Sequence, residues 1–144
     1  LVSPQAARPN RETATTATSS SVARCTDVDT REAAERWRRT WARGWHGHEA
    51  GPILDLYAEG AFFQSHPFRE PQQPRDYIVP TLEAESWADC QFHEPIVDGD
   101  RAVVEWRAET RLKDGSGENL AGLSLLRFDE NGLVVEQRDF WASA

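Results

Sequence analysis

The chain has 144 residues, enough for one domain with its own core and too few for two. Its net charge is −8, but three arginines and one glutamate give residues 1–24 a charge of +2, so residues 25–144 carry −10. Because phosphate contacts dominate nucleic-acid affinity, this acidity argues against nucleic acid as a partner. No apolar run is long enough to cross a membrane and the N-terminus resembles no secretory signal, so we expect no membrane partner.

Cysteine and histidine usage argues against a metal site or a disulfide framework. Cys25 and Cys90 are far apart, and the four histidines form no pair at helix or hairpin spacing. Gly115 and Gly117 lie in a predicted hairpin instead of ahead of a helix, which excludes a phosphate-binding loop. We therefore expect no metal and no cofactor, and reduced thiols predict a cytoplasmic protein.

The N-terminal part of the chain is predicted to be a disordered leader over residues 1–27, ahead of a domain over 28–144. Its Ser, Thr, Ala and Pro residues offer almost nothing to bury. A helix then begins at Asp29, with Glu32 as the partner in a capping box. Four residues at intervals of four predict an inward-facing stripe on this helix: Ala33, Trp37, Trp41 and Trp45.

The middle of the chain predicts two further helices and a strand. Pro52 lies in the first turn of a second helix that runs to Gly60 and buries Ile53, Leu56 and Tyr57. A short strand follows over 61–65. Residues 75–85 are periodic as a helix, which Pro80 should kink or split.

The last third of the chain predicts antiparallel strands. A strand over 87–97 precedes three runs rich in aromatic and branched residues, the first of them starting at Arg101. Asn131-Gly132 favours a tight hairpin, so the last two strands should pair directly. The sequence predicts an α+β domain in which a curved, mostly antiparallel sheet is covered by the N-terminal helices.

Four segments resemble the SnoaL-like branch of the nuclear transport factor 2-like superfamily. They are the Trp37–Trp41 helix ahead of Ile53-Leu54-Asp55-Leu56-Tyr57-Ala58, then Ala61-Phe62-Phe63, Val103-Val104-Glu105-Trp106, and the ending Gly-Leu-Val-Val-Glu-Gln-Arg-Asp-Phe-Trp. The resemblance covers residues 28–142. It implies a cone in which the sheet wraps the helices around a mostly apolar pocket, and a homodimer formed through the outer sheet face.

The large aromatic residues suit a small apolar or aromatic molecule in such a pocket. The candidates for binding it are Trp37, Trp41, Tyr57, Phe63, Trp106 and Trp141.

Asp139 is the first candidate for catalysis. Alternation on the last strand puts it on the same side as Val135 and Trp141, where desolvation would raise its pKa towards that of a useful base. Arg138-Asp139-Phe140 also resembles a segment of the limonene-epoxide hydrolase branch, whose Asp positions water in the pocket. The alternative is a structural carboxylate bound to backbone or to a helix.

Three other residues are candidate partners of Asp139. His66 follows the first strand at the expected pocket mouth, where it is either an acid–base residue or a loop histidine held by backbone. Glu105 and Arg107 share one face of the central strand and Trp106 the other, and the sequence leaves open which face lines the pocket. Arg107-Ala108-Glu109 resembles the Arg-x-Asp pair of the epoxide hydrolase branch, with Glu in place of Asp.

Two classes of function remain open at this point. The chain is either a cofactor-free isomerase, cyclase or epoxide hydrolase-like enzyme, or a non-catalytic ligand-binding or dimeric interaction module. Several ionisable side chains converging on one cavity would favour the enzyme. A cavity filled by tryptophans would favour the module.

Overall fold

The computed structural model describes residues 27–144, with side chains from Asp29 onwards. The predicted leader therefore lies outside the described residues, apart from Asp27, which begins the first helix two residues earlier than expected. The elements in chain order are α1 (Asp27–Gly47), α2 (Ala50–Leu54), β1 (Tyr57–Gln64), α3 (Pro74–Ala84), β2 (Glu85–Phe92), β3 (Ile96–Asp98), β4 (Arg101–Leu112), β5 (Gly117–Phe128) and β6 (Val134–Ser143).

The six strands form one curved, open sheet in the order β1-β6-β5-β4-β2, with β3 paired to β4. The β1–β6 pair is parallel and the other pairs are antiparallel. The predicted direct pairing of the last two strands is confirmed: Asp129 N–H bonds to Leu133 O, and Gly132 has a φ of 75° in the turn. The expected α+β architecture with a mostly antiparallel sheet is confirmed.

Helix α1 supplies the side chains that cover the sheet. Residues four apart fall on one helix face, and all four residues of the predicted stripe are buried, Trp37 at 1% exposure. Their aromatic rings pack against one another and against the sheet, with ring centroids of Trp45 and Trp106 5.8 Å apart. Among the described residues, no helix is long and apolar enough to cross a membrane.

The second helix is shorter than the sequence pattern predicts. It ends at Leu54, and Tyr57 begins β1 instead of closing the helix. Strand pairing overrides the local helical pattern here, because Val134 donates its N–H to Leu56 O at 2.8 Å and Tyr57 pairs with Val134. Gly60, at a φ of 72°, lies within the resulting strand, where its register against β6 shifts.

Two further expectations can be compared with the structure. Helix α3 is one helix that includes Pro80, so the proline does not split it, although it lacks the N–H that would bond one turn back. The strand predicted over 87–97 is two strands, β2 and β3, which pair with successive stretches of β4. Strand β4 is continuous, whereas the chain that pairs with this edge of it leaves the sheet between β2 and β3.

Candidate active site

A cavity of about 280 Å³ lies between the helices and the inner face of the sheet. Five tryptophans form much of its wall: Trp37, Trp41, Trp45, Trp106 and Trp141. Three carboxyl groups also line it, the buried ones of Asp139 and Glu85 and the exposed one of Glu118, as does the guanidinium-bearing side chain of Arg69. Apolar walls with a few convergent polar groups are typical of small-molecule sites.

Asp139 projects from β6 into this cavity. Its Oδ1 accepts hydrogen bonds from Ser124 Oγ at 2.7 Å, directly across the β5–β6 ladder, and from Gln137 Nε2 at 3.0 Å on the same strand face. Burial raises the pKa of Asp139 from 3.8 to about 6, and the two hydrogen bonds partly offset this rise because they stabilise the ionised form. Asp139 is therefore ionised at neutral pH but more basic than an ordinary aspartate.

The side-chain amide of Gln137 binds Asp139. The other hydrogen-bond partners of Gln137 determine which way this amide is oriented. The Gln137 Oε1 atom accepts from Trp37 Nε1 at 3.1 Å and from the Tyr57 hydroxyl. Both partners are donors here, since Trp41 Nε1 in turn donates to the Tyr57 oxygen at 3.1 Å. The carbonyl end of the amide must therefore face them, which leaves the NH₂ end for Asp139.

The indole N–H groups of the cavity all have partners. Besides the two above, Trp106 Nε1 donates to Ser124 Oγ at 3.0 Å, and Trp141 Nε1 donates to Ser65 O at 2.6 Å. Trp45 Nε1 donates to the Glu85 carboxylate at 2.9 Å. Buried indole rings paired in this way have one orientation each, so the cavity wall is rigid.

Tyr57 and Phe63, two of the predicted binding residues, lie behind the tryptophan wall. Phe63 is fully buried, and its ring packs between those of Tyr57 and Tyr77 at centroid distances of 5.8 Å and 5.4 Å. Tyr57 reaches Asp139 only through Gln137. The structure places Trp37, Trp41, Trp106 and Trp141 on the cavity wall itself.

The inner face of β4 carries Trp106, which resolves the alternative that the sequence left open. Val104, Trp106 and Ala108 are buried, whereas Glu105 and Arg107 are exposed on the opposite face. Successive residues of a strand point to opposite sides, so the sheet separates both charged candidates from Asp139. The structure therefore does not bring Glu105 and Arg107 together with the other site residues.

His66 lies at the rim of the site and is half-buried. Its Nδ1 accepts the backbone N–H of Phe68 at 3.2 Å, and its ring packs edge-on against Trp141 at 4.9 Å between centroids. Nδ1 is therefore occupied by a backbone hydrogen bond, which agrees with the alternative in which His66 is a loop histidine held by the backbone. Trp141 connects His66 to the cavity, whose wall does not include the imidazole.

Glu85 is the site residue that the sequence reasoning missed. It is 6% exposed at the junction of α3 and β2, and burial raises the pKa of its carboxyl from 4.5 to about 7, an effect that the Trp45 hydrogen bond partly offsets. A signal for it exists in the sequence, because Ile78, Leu82 and Glu85 follow helical spacing, so the pattern of the buried face of α3 extends to the first residue of β2.

No group of three or more His, Cys, Asp or Glu side chains within residues 27–144 is arranged to hold a metal ion. The free Cys90 thiol is half-buried, and burial raises its pKa to about 12, so it is not a reactive thiolate.

Comparisons of the fold place the chain among known cone-shaped domains. It superimposes on an NTF2-like protein of unknown function from Exiguobacterium sp. 255-15, with a TM-score of 0.64, 13% identity, and coverage of 76% of this chain and 98% of that one. For the epoxide hydrolase/cyclase-like enzyme SalBIII, which takes part in pyran ring formation in the polyether salinomycin, the TM-score is 0.67 at 14% identity, with coverages of 77% and 91%.

A third structure of the same shape is an LEH-like epoxide hydrolase from M. tuberculosis, with a TM-score of 0.62, 9% identity and coverages of 81% and 84%. At these identities the likeness shows the fold alone. No curated protein matches the sequence. The family model of the SnoaL-like domain, however, matches residues 34–137, which is most of the chain. The chain belongs to the SnoaL-like domain family.

Proposed function

We propose that this chain is a cofactor-free acid–base enzyme that acts on a small, largely apolar molecule, with Asp139 as the base. The observation that carries the proposal is the setting of Asp139: a buried carboxylate, oriented by Ser124 and Gln137, on the wall of an aromatic cavity. A second ionisable group, Glu85, lines the same cavity. Two buried carboxyl groups on the wall of one cavity favour a functional site over a purely structural core.

The setting of Asp139 suits proton transfer. A carboxylate with a pKa near 6 is mostly ionised at neutral pH, and its raised basicity increases the driving force for taking a proton. Ser124 and Gln137 hold the carboxylate in place before a substrate arrives, and the tryptophans limit access of water. The proton would come from a carbon acid in an isomerase or cyclase, or from water in a hydrolase.

The structural neighbours are compatible with this class of chemistry, since two of them are named as epoxide hydrolase-like or cyclase-like enzymes. The proposal assigns Glu105 and Arg107 no role in the cavity, because both lie on the exposed face of β4. For His66 it proposes a place at the rim, where its ring supports Trp141.

The test uses two flat, apolar compounds that report the two proton sources. Hydrogen–deuterium exchange of 2-tetralone in D₂O, followed by proton NMR, measures proton abstraction from carbon. Hydrolysis of indene oxide measures activation of water. We expect the wild type to accelerate at least one reaction, with a rate that rises as pH passes through about 6. Asp139→Asn should lower that rate by about 10²-fold or more.

The Asp139→Asn substitution keeps the shape of the side chain, so circular dichroism and binding of 2-tetralone should show a folded, binding-competent variant. Glu109→Gln, on the exposed face of β4, is the matched control and should keep the wild-type rate. The proposal fails if the wild type accelerates neither reaction, or if the folded Asp139→Asn variant retains full activity.

We also propose a homodimer formed through the outer sheet face, in a cytoplasmic setting. Leu123 and Phe140 lie directly opposite each other on β5 and β6 and are 37% and 41% exposed, which gives this face an apolar centre. Light scattering of the wild type and of Leu123→Glu measures the assembly. A monomeric wild type would overturn this part of the proposal.

A further inference from the structure

The proposed reaction makes no use of Glu85, the second buried carboxyl group of the cavity. Its side chain is 4% exposed, and both of its oxygens face a single donor among the described residues, Trp45 Nε1, at 2.9 Å and 3.3 Å. A carboxylate has about four acceptor positions. One N–H therefore satisfies only part of the hydrogen-bonding capacity of this buried group.

His48 lies next to Glu85 and also has a buried polar atom with unused hydrogen-bonding capacity. Its Nε2 is buried, has no hydrogen-bond partner among the described residues, and lies 3.9 Å from Glu85 Oε2, beyond hydrogen-bond reach. His48 also has a φ of 54°, a left-handed conformation that is unfavourable for residues other than glycine. The backbone thus holds the imidazole beside the carboxylate without joining the two.

An aromatic wall separates Glu85 from Asp139. Glu85 binds the indole of Trp45, whose ring packs against Trp106, and the Trp106 indole binds Ser124, the partner of Asp139. Glu85 is on β2 and Asp139 on β6, with β4 and β5 between them in the sheet. The two buried carboxyl groups therefore lie at separate ends of the cavity, with the aromatic side chains of Trp45 and Trp106 between them.

We propose that Glu85 is a second ligand-binding residue, and that the ligand is an elongated, mostly apolar molecule with a hydroxyl group at the Glu85 end and another polar group at Asp139. This inference rests on the proposed function in one respect: it takes the same cavity to be the ligand site.

The chemistry of the Glu85 end favours a hydroxyl group. With the imidazole proton on Nε2, a hydroxyl can donate to the Glu85 carboxylate and accept from His48, so one group serves both. An ammonium group would serve both only with the imidazole proton on Nδ1, and an anionic group would be repelled. Glu85 also lines a neighbouring surface cleft. The titratable or charged side chains around it are Glu118, which lines the cavity, and three that line the cleft: His48, Glu83 and Lys113.

The experiment compares two pairs of fluorescent phenols at pH 8. Each pair has one hydroxyl or two on the same skeleton: 2-naphthol with 2,6-dihydroxynaphthalene, and 4-phenylphenol with 4,4′-dihydroxybiphenyl. Titration of tryptophan fluorescence gives the dissociation constants. We expect at least one diol to bind the wild type about tenfold more tightly than its mono-ol, since a hydrogen bond to a charged group is stronger than one between neutral groups.

In Glu85→Gln the diol preference should fall to within about threefold, because the neutral amide weakens the bond to the hydroxyl. Glu109→Gln is the matched control and should keep the preference. The inference is overturned if the wild type binds no compound, shows no preference for a diol, or keeps its preference in Glu85→Gln.

The binding test stays separate from that of the proposed function because it measures no turnover. A wild-type protein that accelerates neither reaction but shows a diol preference that Glu85→Gln removes supports the binding inference alone. Should Glu85→Gln fail to fold, a crystal structure of the wild type with its preferred diol decides. A hydroxyl group within hydrogen-bond distance of Glu85 supports the inference, and any other position overturns it.

Discussion

The two buried carboxyl groups of the cavity, Asp139 and Glu85, are exposed to a similarly small degree but have very different hydrogen-bond partners. Asp139 accepts hydrogen bonds from Ser124 and Gln137, which are themselves bound by tryptophan and tyrosine side chains. Glu85 receives one indole N–H and faces a histidine nitrogen that it does not reach. At the Asp139 end the protein itself supplies a connected hydrogen-bond network, whereas at the Glu85 end the carboxylate keeps unused acceptor positions.

This difference indicates how the two ends would be used. A carboxylate already held in one orientation needs no rearrangement before proton transfer, which suits a base. A carboxylate with unused acceptor positions gains from a ligand group that fills them, which suits recognition. Burial raises both pKa values, so the number and source of the hydrogen bonds, more than burial, distinguish the two groups.

The largest effects should come from removing one supporting hydrogen bond at each end. Ser124→Ala takes a donor from Asp139 and an acceptor from Trp106, so we expect the free energy of unfolding to fall by about 2–3 kcal/mol. Trp45→Phe takes the one indole N–H from Glu85. Both changes remove a bond to an ionised carboxylate and should raise the pKa of that carboxyl. Denaturant unfolding and carbon-13 NMR of the labelled carboxyl groups measure the two effects.

Each of these two variants should shift the pKa of only one carboxyl group. Ser124→Ala should raise the pKa of Asp139 and leave that of Glu85 in place, and Trp45→Phe should do the reverse. If either variant moves both pKa values together, the two ends form one coupled network and the distinction between them is lost.

A smaller effect is expected in the pH dependence of stability. Both folded-state pKa values lie above the ordinary ones, so in the intervening pH range the folded protein binds more protons than the unfolded chain. Stability therefore falls as pH rises, between about 4.5 and 7 for Glu85 and between about 3.8 and 6 for Asp139.

Glu85→Gln removes the loss of stability between about pH 4.5 and 7, and Asp139→Asn removes the one between about pH 3.8 and 6. Each variant should gain stability relative to the wild type across its own window, by roughly 1–3 kcal/mol. Unfolding by urea at a series of pH values measures this. Glu136, whose pKa its bond to Arg138 lowers, contributes with the opposite sign in all three proteins and cancels in the differences. A wild-type curve parallel to that of Glu85→Gln would contradict the raised pKa of Glu85.

The sequence was sufficient for the fold class and for the position of Asp139 because both depend on regular periodicities, but it did not predict Ser124 and Gln137 as the partners of Asp139. Spacing by four identified the tryptophan stripe of α1, and alternation put Asp139 and Trp141 on one face of β6. Alternation failed at Val134, which is buried where the β5–β6 register shifts beside it. Glu85 escaped notice because it lies where a helical period gives way to a strand, and only the packing of Trp45 shows that the position faces the cavity.

The smallest effects are expected on the outer face of β4, where sequence reasoning placed two further catalytic candidates. Glu105→Gln and Arg107→Gln alter exposed side chains across the sheet from Asp139. Each should change the free energy of unfolding by less than about 0.5 kcal/mol, and the catalytic rate by less than about twofold. Because each substitution removes one charge, salt dependence of the rate separates a long-range electrostatic effect, which added salt suppresses, from a direct role, which persists. A tenfold loss of activity in high salt would return these residues to the site and would mean that the reacting molecule binds the outer face of the sheet.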